Sequence, residues 1–246
     1  RYISGPMIGL DRARRVVKLG PVVDSEDQWI SDEREVPYDT LVIGIGSLTH
    51  DFGIPGVREH AIALETPAEA DRFHERLVNA CFRAQAQQTP LRPGQLRVVI
   101  IGAGATGVEL AAELHKTTRT LVSYGLDRID PDKDLRITLL EAGDRILPAL
   151  PERVSATAAS LLLKLKVEIL TGARVSEVRA GEVLLASGES IPAELVVWAA
   201  GIKAPAVLSA LDGLEVNRIN QLVVKPTLET TADPAIFAIG DCAACQ

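Results

Sequence analysis

The sequence has only three cysteines in 246 residues, Cys81, Cys242 and Cys245. They are too few and too unevenly placed for a disulfide framework, which points to a reducing compartment. It has no run of basic residues, and a net charge of −7 argues against nucleic acid and against a basic stripe on a membrane surface. No uninterrupted apolar stretch reaches bilayer length, because Gly102, Gly104 and Gly201 break the longest ones. Internal repeats and low-complexity segments are missing as well. There is no signal peptide, and the chain opens on Arg1 with β-like segments from its first residues, which reads as a piece of a longer cytoplasmic protein. What remains is 47% hydrophobic, ample for the core of one large domain or two small ones.

Short strands are expected at 14–19 and 38–45, separated by turns at 20–21 and 32–37, and suggest a small meander leading into a buried strand. Thr66-Pro67-Ala68-Glu69 combines a capping box with proline at the first helical position. Ala70, Phe73, Leu77, Ala80, Cys81 and Ala84 follow at helical spacing, which predicts a helix over 67–87 with Cys81 as a core thiol. A strand over 135–141, a helix from Pro151 to about 164 and a strand at 167–170 come next. Turn signals at Gly181 and Gly188 then mark a hairpin-rich piece up to 199.

The most informative stretch lies at 96–116, where an apolar strand runs into Gly102-Ala103-Gly104-Ala105-Thr106-Gly107 and then a helix rich in small residues. A glycine triplet between strand and helix is a dinucleotide-binding turn. Gly102 permits the tight exit, Gly104 lets backbone approach a pyrophosphate, and Gly107 lets helix and sheet pack closely, so a side chain at any of them is expected to obstruct. The helix start offers free amides and a positive dipole end worth roughly 0.3–1 kcal/mol per anionic charge. Together these elements predict an α/β, Rossmann-like nucleotide-binding domain.

Glu141 ends the strand expected beside the glycine turn, where an adenine ribose would lie. A carboxylate there accepts from both ribose hydroxyls of NAD, while a 2′-phosphate would meet like charge. At about 4 Å and an effective dielectric near 20 that repulsion is roughly 4 kcal/mol, which favours NADH over NADPH. Arg145 nearby would soften the selection. The usual glycine-to-acid separation of about 20 residues is nearly doubled here, so 117–134 is expected to be helix extension plus loop. Glu109 has two readings, a first-turn acid complementing the helix dipole or a group reaching the nicotinamide end of the ligand.

At the other end an apolar strand over 235–239 stops at Gly240-Asp241-Cys242-Ala243. With Tyr38-Asp39 and Leu41-Val42-Ile43-Gly44-Ile45-Gly46-Ser47, this resembles the flavoprotein pyridine nucleotide reductase superfamily, in which an FAD domain is interrupted by a nested NAD domain. Within it, Asp51-Phe52-Gly53-Ile54-Pro55-Gly56-Val57, Gly104 to Leu110, Glu141-Ala142-Gly143-Asp144-Arg145-Ile146-Leu147 and Val197-Trp198-Ala199-Ala200-Gly201-Ile202 look like type II NADH:quinone oxidoreductases. The resemblance implies hydride transfer from NADH to FAD and electron delivery to a membrane quinone. It implies an FAD-domain remnant over 1–60, an NADH-binding domain over 61–203 and a returning FAD remnant over 204–246. By matching position, Gly102, Gly104, Ala105, Thr106, Gly107 and Glu141 would bind NADH, and Glu109 would approach the nicotinamide. Ala200 and Gly201 would line its entry, and Gly46 and Asp241 would touch FAD. No catalytic side chain is expected, since hydride passes between cofactors, and no metal ligand set is present.

The sequence departs from that pattern in three places. It lacks an N-terminal glycine turn for FAD and the quinone and membrane-anchoring region beyond Gln246, so FAD binding by this piece alone is not expected, nor is activity. Lys166 replaces a glycine after the later helix, which is then expected to end without a left-handed cap. The full protein would sit peripherally on the inner face of a membrane, with NADH, quinone and the membrane surface as partners; a homodimer is left open. Cys242-x-x-Cys245 lacks a second ligand pair for zinc and sits where cysteine commonly follows Gly-Asp, against a redox pair. The rival readings are a sulfide:quinone or ferredoxin type reductase and a non-catalytic NADH-sensing module.

Overall fold

A computed structural model describes residues 2–245, which fall into two compact units, one formed by 49–201 and the other by 2–48 together with 202–245. The inner unit therefore starts earlier than the boundary expected after 60 and closes at Gly201 rather than after 203. The reason is local: the segment after 48 is bonded to the inner unit, with the Val178 amide donating to the Pro55 carbonyl and the Trp198 indole N–H to the His50 carbonyl, while Val57 is buried in its core.

The inner unit is built on four parallel strands in the order Glu168–Leu170, Arg136–Leu140, Arg97–Ile101 and Leu195–Trp198. Numbered by sequence this is 3-2-1-4, the half-Rossmann arrangement in which the chain reverses direction of travel beside the first strand. The strands are near-continuous apolar runs because both faces are covered. Val98, Ile100, Ile137 and Leu139 face helices through Leu77, Ala111, Leu114 and Leu162. Val99, Ile101, Leu140 and Trp198 face an antiparallel sheet of Val175–Arg179, Glu182–Leu185 and Ser190–Pro192 through Val178, Val183 and Ile191. That second layer is the hairpin-rich piece anticipated from the turn signals.

The helices form where the patterning places them. Pro67–Ala86 carries the complete capping box, Thr66 Oγ1 accepting from the Glu69 amide while Glu69 accepts from the Thr66 amide, and it buries Phe73, Leu77, Ala80, Cys81 and Ala84. Burial pushes the Cys81 thiol pKa up. Ala105–Ser123 extends well past one turn of sheet packing before the loop that follows, which accounts for the long glycine-to-acid separation. Glu152–Lys164 begins one residue later than expected, so Pro151 is its N-cap in extended conformation rather than its first helical residue.

The end of that helix corrects a second expectation. Lys166 does adopt the left-handed conformation, φ 60°, with its amide donating to Leu163 and the Val167 amide to Leu162. This is the double bond of a Schellman cap, formed without glycine. Lys166 Nζ lies 3.0 Å from Asp132 Oδ1.

In the outer unit Met7–Asp11, Val16–Leu19 and Arg34–Pro37 form the antiparallel meander. Leu41–Ile43 pairs in parallel with Ile236–Ala238 over a core of Leu10, Ile43, Leu208, Leu211, Leu222 and Ile236. Segments separated by nearly the whole chain are therefore neighbours here. Among the described residues, no helix is long and apolar enough to cross a membrane.

Candidate functional site

Two of the three glycines in the turn are demanded by the protein itself. Gly102 has φ 104°, and a Cβ there would come within 2.7 Å of the Ala199 carbonyl. At Gly107 a Cβ would stand 1.9 Å from the Gly102 carbonyl oxygen, so helix and turn touch backbone to backbone. Gly104 differs. Its φ of −71° is open to any residue, and a Cβ there would meet nothing within 4 Å. The expected obstruction at 104 is therefore not with protein atoms. The bond from the Val108 amide to the Gly104 carbonyl is the first of the helix, which leaves the amides of Ala105, Thr106 and Gly107 ahead of it.

Glu141 folds back onto this turn. Its Oε2 accepts from the buried Ala103 amide at 3.0 Å and its Oε1 from the Gly143 amide at 2.8 Å. Both oxygens are pinned by backbone donors, and each keeps a further lone pair for another donor. Further backbone bonds seat the turn, from Gly102 to the Leu140 carbonyl and from Leu147 to the Ala103 carbonyl. A cavity of about 480 Å³ opens at these strand ends, lined by Gly102, Glu141, Ala200, Phe52, Arg174 and Trp198 among others. It lies outside the carboxyl ends of the strands at the reversal point, where open α/β sheets bind ligands.

Ala200 lines that cavity, while Gly201, φ 70°, is pressed by the Phe52 ring, which a Cβ would overlap at 2.4 Å. The Trp198 indole N–H donates to the Ala200 carbonyl at 2.8 Å and to the His50 carbonyl at 3.0 Å, and His50 stacks on Phe52 at 4.6 Å. Glu109 is exposed in the second turn of its helix and not the first, so the dipole reading loses its basis, the effect fading beyond the first turn. It lies one turn from Ala105 and Thr106, both exposed. Arg145 is committed elsewhere, donating to the carbonyls of Leu147, Leu150 and Pro148, and does not soften the acid at 141.

Two further residues of the lining, Phe52 and Arg174, have no role assigned to them by the sequence patterns above. The glycine-flanked aromatic of Asp51-Phe52-Gly53 was a usable signal, since Asp51 accepts from the Gly53 amide and Arg58 and holds that loop. Those two contacts keep the Asp51 carboxyl below its ordinary range. Arg174 carried none.

Gly46 and Asp241 belong to the outer unit. The turns containing them leave the ends of the paired strands Leu41–Ile43 and Ile236–Ala238, and the Ser47 hydroxyl donates to Asp241 Oδ2 at 3.0 Å. Gly46 has φ 69° with open space where a Cβ would stand. Cys242 is buried, its thiol directed at the carbonyls of Ile239 and Ile43, whereas Cys245 is exposed.

Comparison with known proteins agrees with this architecture. The chain is 40% identical over 255 residues to a type II NADH:quinone oxidoreductase of Haemophilus influenzae, an alignment covering 99% of this chain and 57% of that protein. It is 30% identical to an external alternative NAD(P)H-ubiquinone oxidoreductase of Arabidopsis thaliana, over 95% of this chain and 42% of the other. The chain thus spans about half the length of these curated relatives. NDH2 of Plasmodium falciparum, solved with NADH, shares the fold at a TM-score of 0.81 and 21% identity over 98% of this chain and 49% of that one. An NAD-dependent persulfide reductase from A. fulgidus superposes with a TM-score of 0.70 at 27% identity, over 97% and 38% of the two chains. With residues 1–246 matching the family profile from end to end, the chain belongs to the pyridine nucleotide-disulphide oxidoreductases.

Proposed function

We propose that this chain is the nucleotide-binding part of a type II NADH:quinone oxidoreductase, in which residues 49–201 hold NADH and present its nicotinamide to FAD carried by the outer unit. The observation that carries this reading is Gly104, the one glycine of the turn that the protein's own packing does not require. A diphosphate resting there would take the amides of Ala105, Thr106 and Gly107 and the positive helix end. The ribose would lie on Glu141, already fixed by two backbone donors and facing the cavity.

The nicotinamide would run toward Ala200 and Gly201, with Glu109 and Phe52 beside it. FAD would supply the redox chemistry, accepting hydride and passing electrons on. The residues fit such a group, since Gly46 leaves room for close approach and Asp241 offers a carboxylate at the ends of two parallel strands. The protein's part is to position the two cofactors and exclude water, and no side chain of this chain is assigned a proton transfer. Quinone reduction belongs to the longer protein, as the names of the relatives suggest, and we assign to that protein a peripheral seat on the inner face of a membrane.

Thermal melting with each coenzyme tests the reading. NADH should raise the melting temperature more than NADPH, and Gly104→Val should lose the NADH response while still melting cooperatively. Equal responses to the two coenzymes would remove the role given to Glu141, and an unchanged response in the variant would remove the turn.

A further inference from the structure

We infer that the inner unit carries a second ligand site, for a phosphate group, at the amino ends of the same strands. Arg97 and Arg136 open adjacent parallel strands and stand opposite each other in the register, so their side chains leave the same side of the sheet. Like charges placed directly opposite are destabilising in a sheet. Among the described residues neither guanidinium has a carboxylate within ion-pair distance, and the buried Nε of Arg97 has no acceptor.

Both line a cavity of about 420 Å³, together with Arg92, Lys133, Asp134 and Pro192. A second cavity of about 590 Å³ shares Lys133 and Arg136 with it. The two other cations nearby are engaged, and one carboxylate, that of Asp134, shares the lining. Arg92 lies 3.7 Å from Glu194, Lys133 is 2.8 Å from Asp130, and Asp134 accepts from the Asp130 amide at 2.8 Å.

What is left is a concave site of small-molecule size with two neighbouring guanidinium forks. Strands lie about 4.8 Å apart, so both forks can reach one tetrahedral oxyanion, and bidentate contacts of this kind suit phosphate better than a single halide. The site lies roughly 17 Å along the strand from the glycine turn, at about 3.3 Å per residue. It does not depend on the NADH reading.

The test is melting of the 246-residue chain in inorganic phosphate and in phenyl phosphate, each against sodium chloride of equal ionic strength. Phosphate should raise the melting temperature by about 3 °C once it exceeds its Kd tenfold. Arg136→Gln should abolish that rise, and at low ionic strength without phosphate it should melt no lower than the parent chain because a repulsion has been relieved. Gly104→Val, which alters only the other end of the sheet, should keep the rise. A larger response to phenyl phosphate would identify an organic phosphate as the ligand, and a larger response to inorganic phosphate the free ion. Stabilisation no greater than that of chloride, or a rise that survives Arg136→Gln and vanishes in Gly104→Val, would overturn the proposal.

Discussion

The two ends of the inner sheet are finished by opposite means. At the carboxyl ends of Arg97–Ile101 and Arg136–Leu140 the chain places glycines and one carboxylate whose oxygens are already held by backbone amides. At the amino ends of the same strands it places two arginines side by side, neither with a carboxylate within ion-pair distance among the described residues. One end is preorganised around space, the other around uncompensated charge. On the two proposals above, a single pair of strands separates two recognition tasks. Shape and a fixed acceptor suit a large nucleotide, while paired guanidinium groups suit a compact anion.

The largest effect that would sharpen this contrast lies within the glycine turn. Gly107→Ala drives a Cβ into the Gly102 carbonyl and should cost about 3 kcal/mol of stability, readable by denaturant titration. Gly104→Val should cost only about 1 kcal/mol, as an apolar residue replacing glycine at an N-cap, yet remove NADH binding. Equal losses of stability at the two positions would erase the distinction between glycines the protein needs and the one its ligand needs.

Glu141→Gln comes next. An amide nitrogen would face one of the two backbone donors, so stability should fall by roughly 1–2 kcal/mol. The preference for NADH over NADPH should shrink in parallel, as measured by titration calorimetry with each coenzyme. At the opposite end of the sheet, Lys166→Gly should gain about 0.5–1 kcal/mol, since glycine takes the left-handed cap without the Cβ penalty and the lost contact to Asp132 is an exposed one. A loss of stability there would mean that the ion pair outweighs the backbone.

The smallest effect is a pH dependence. Partial burial, with Arg119 beside it, lowers the His115 pKa, and Arg119 Nε donates to His115 Nε2 at 2.8 Å. A histidine that is harder to protonate when folded gives stability that is present above its unfolded pKa near 6.5 and declines as pH falls below that value. The parent chain should therefore lose melting temperature between about pH 7 and pH 5, and His115→Gln should lose less over that window.

Much of this was legible in the sequence, and the reasons differ by element. The glycine turn, the capping box at Thr66 and the strand that leads into Glu141 each pair a local steric or hydrogen-bonding demand with a short spacing, so residues alone reveal them. Lys166 misled because its left-handed conformation is imposed by the packing of Leu162 and Val167 into the core rather than by its own preference. Arg145 misled because proximity along the chain to Glu141 says nothing of the three carbonyls that capture its guanidinium. Arg97 and Arg136 stand 39 positions apart, and only the parallel register places them together.

The central claim is that the space above Gly104 belongs to a coenzyme diphosphate. A crystal structure of this chain grown with NADH tests it most directly. The account predicts the diphosphate against the amides of Ala105 to Gly107 and the adenosine ribose on the Glu141 carboxylate; a nucleotide bound away from that turn, or seated with Glu141 out of reach, would contradict it.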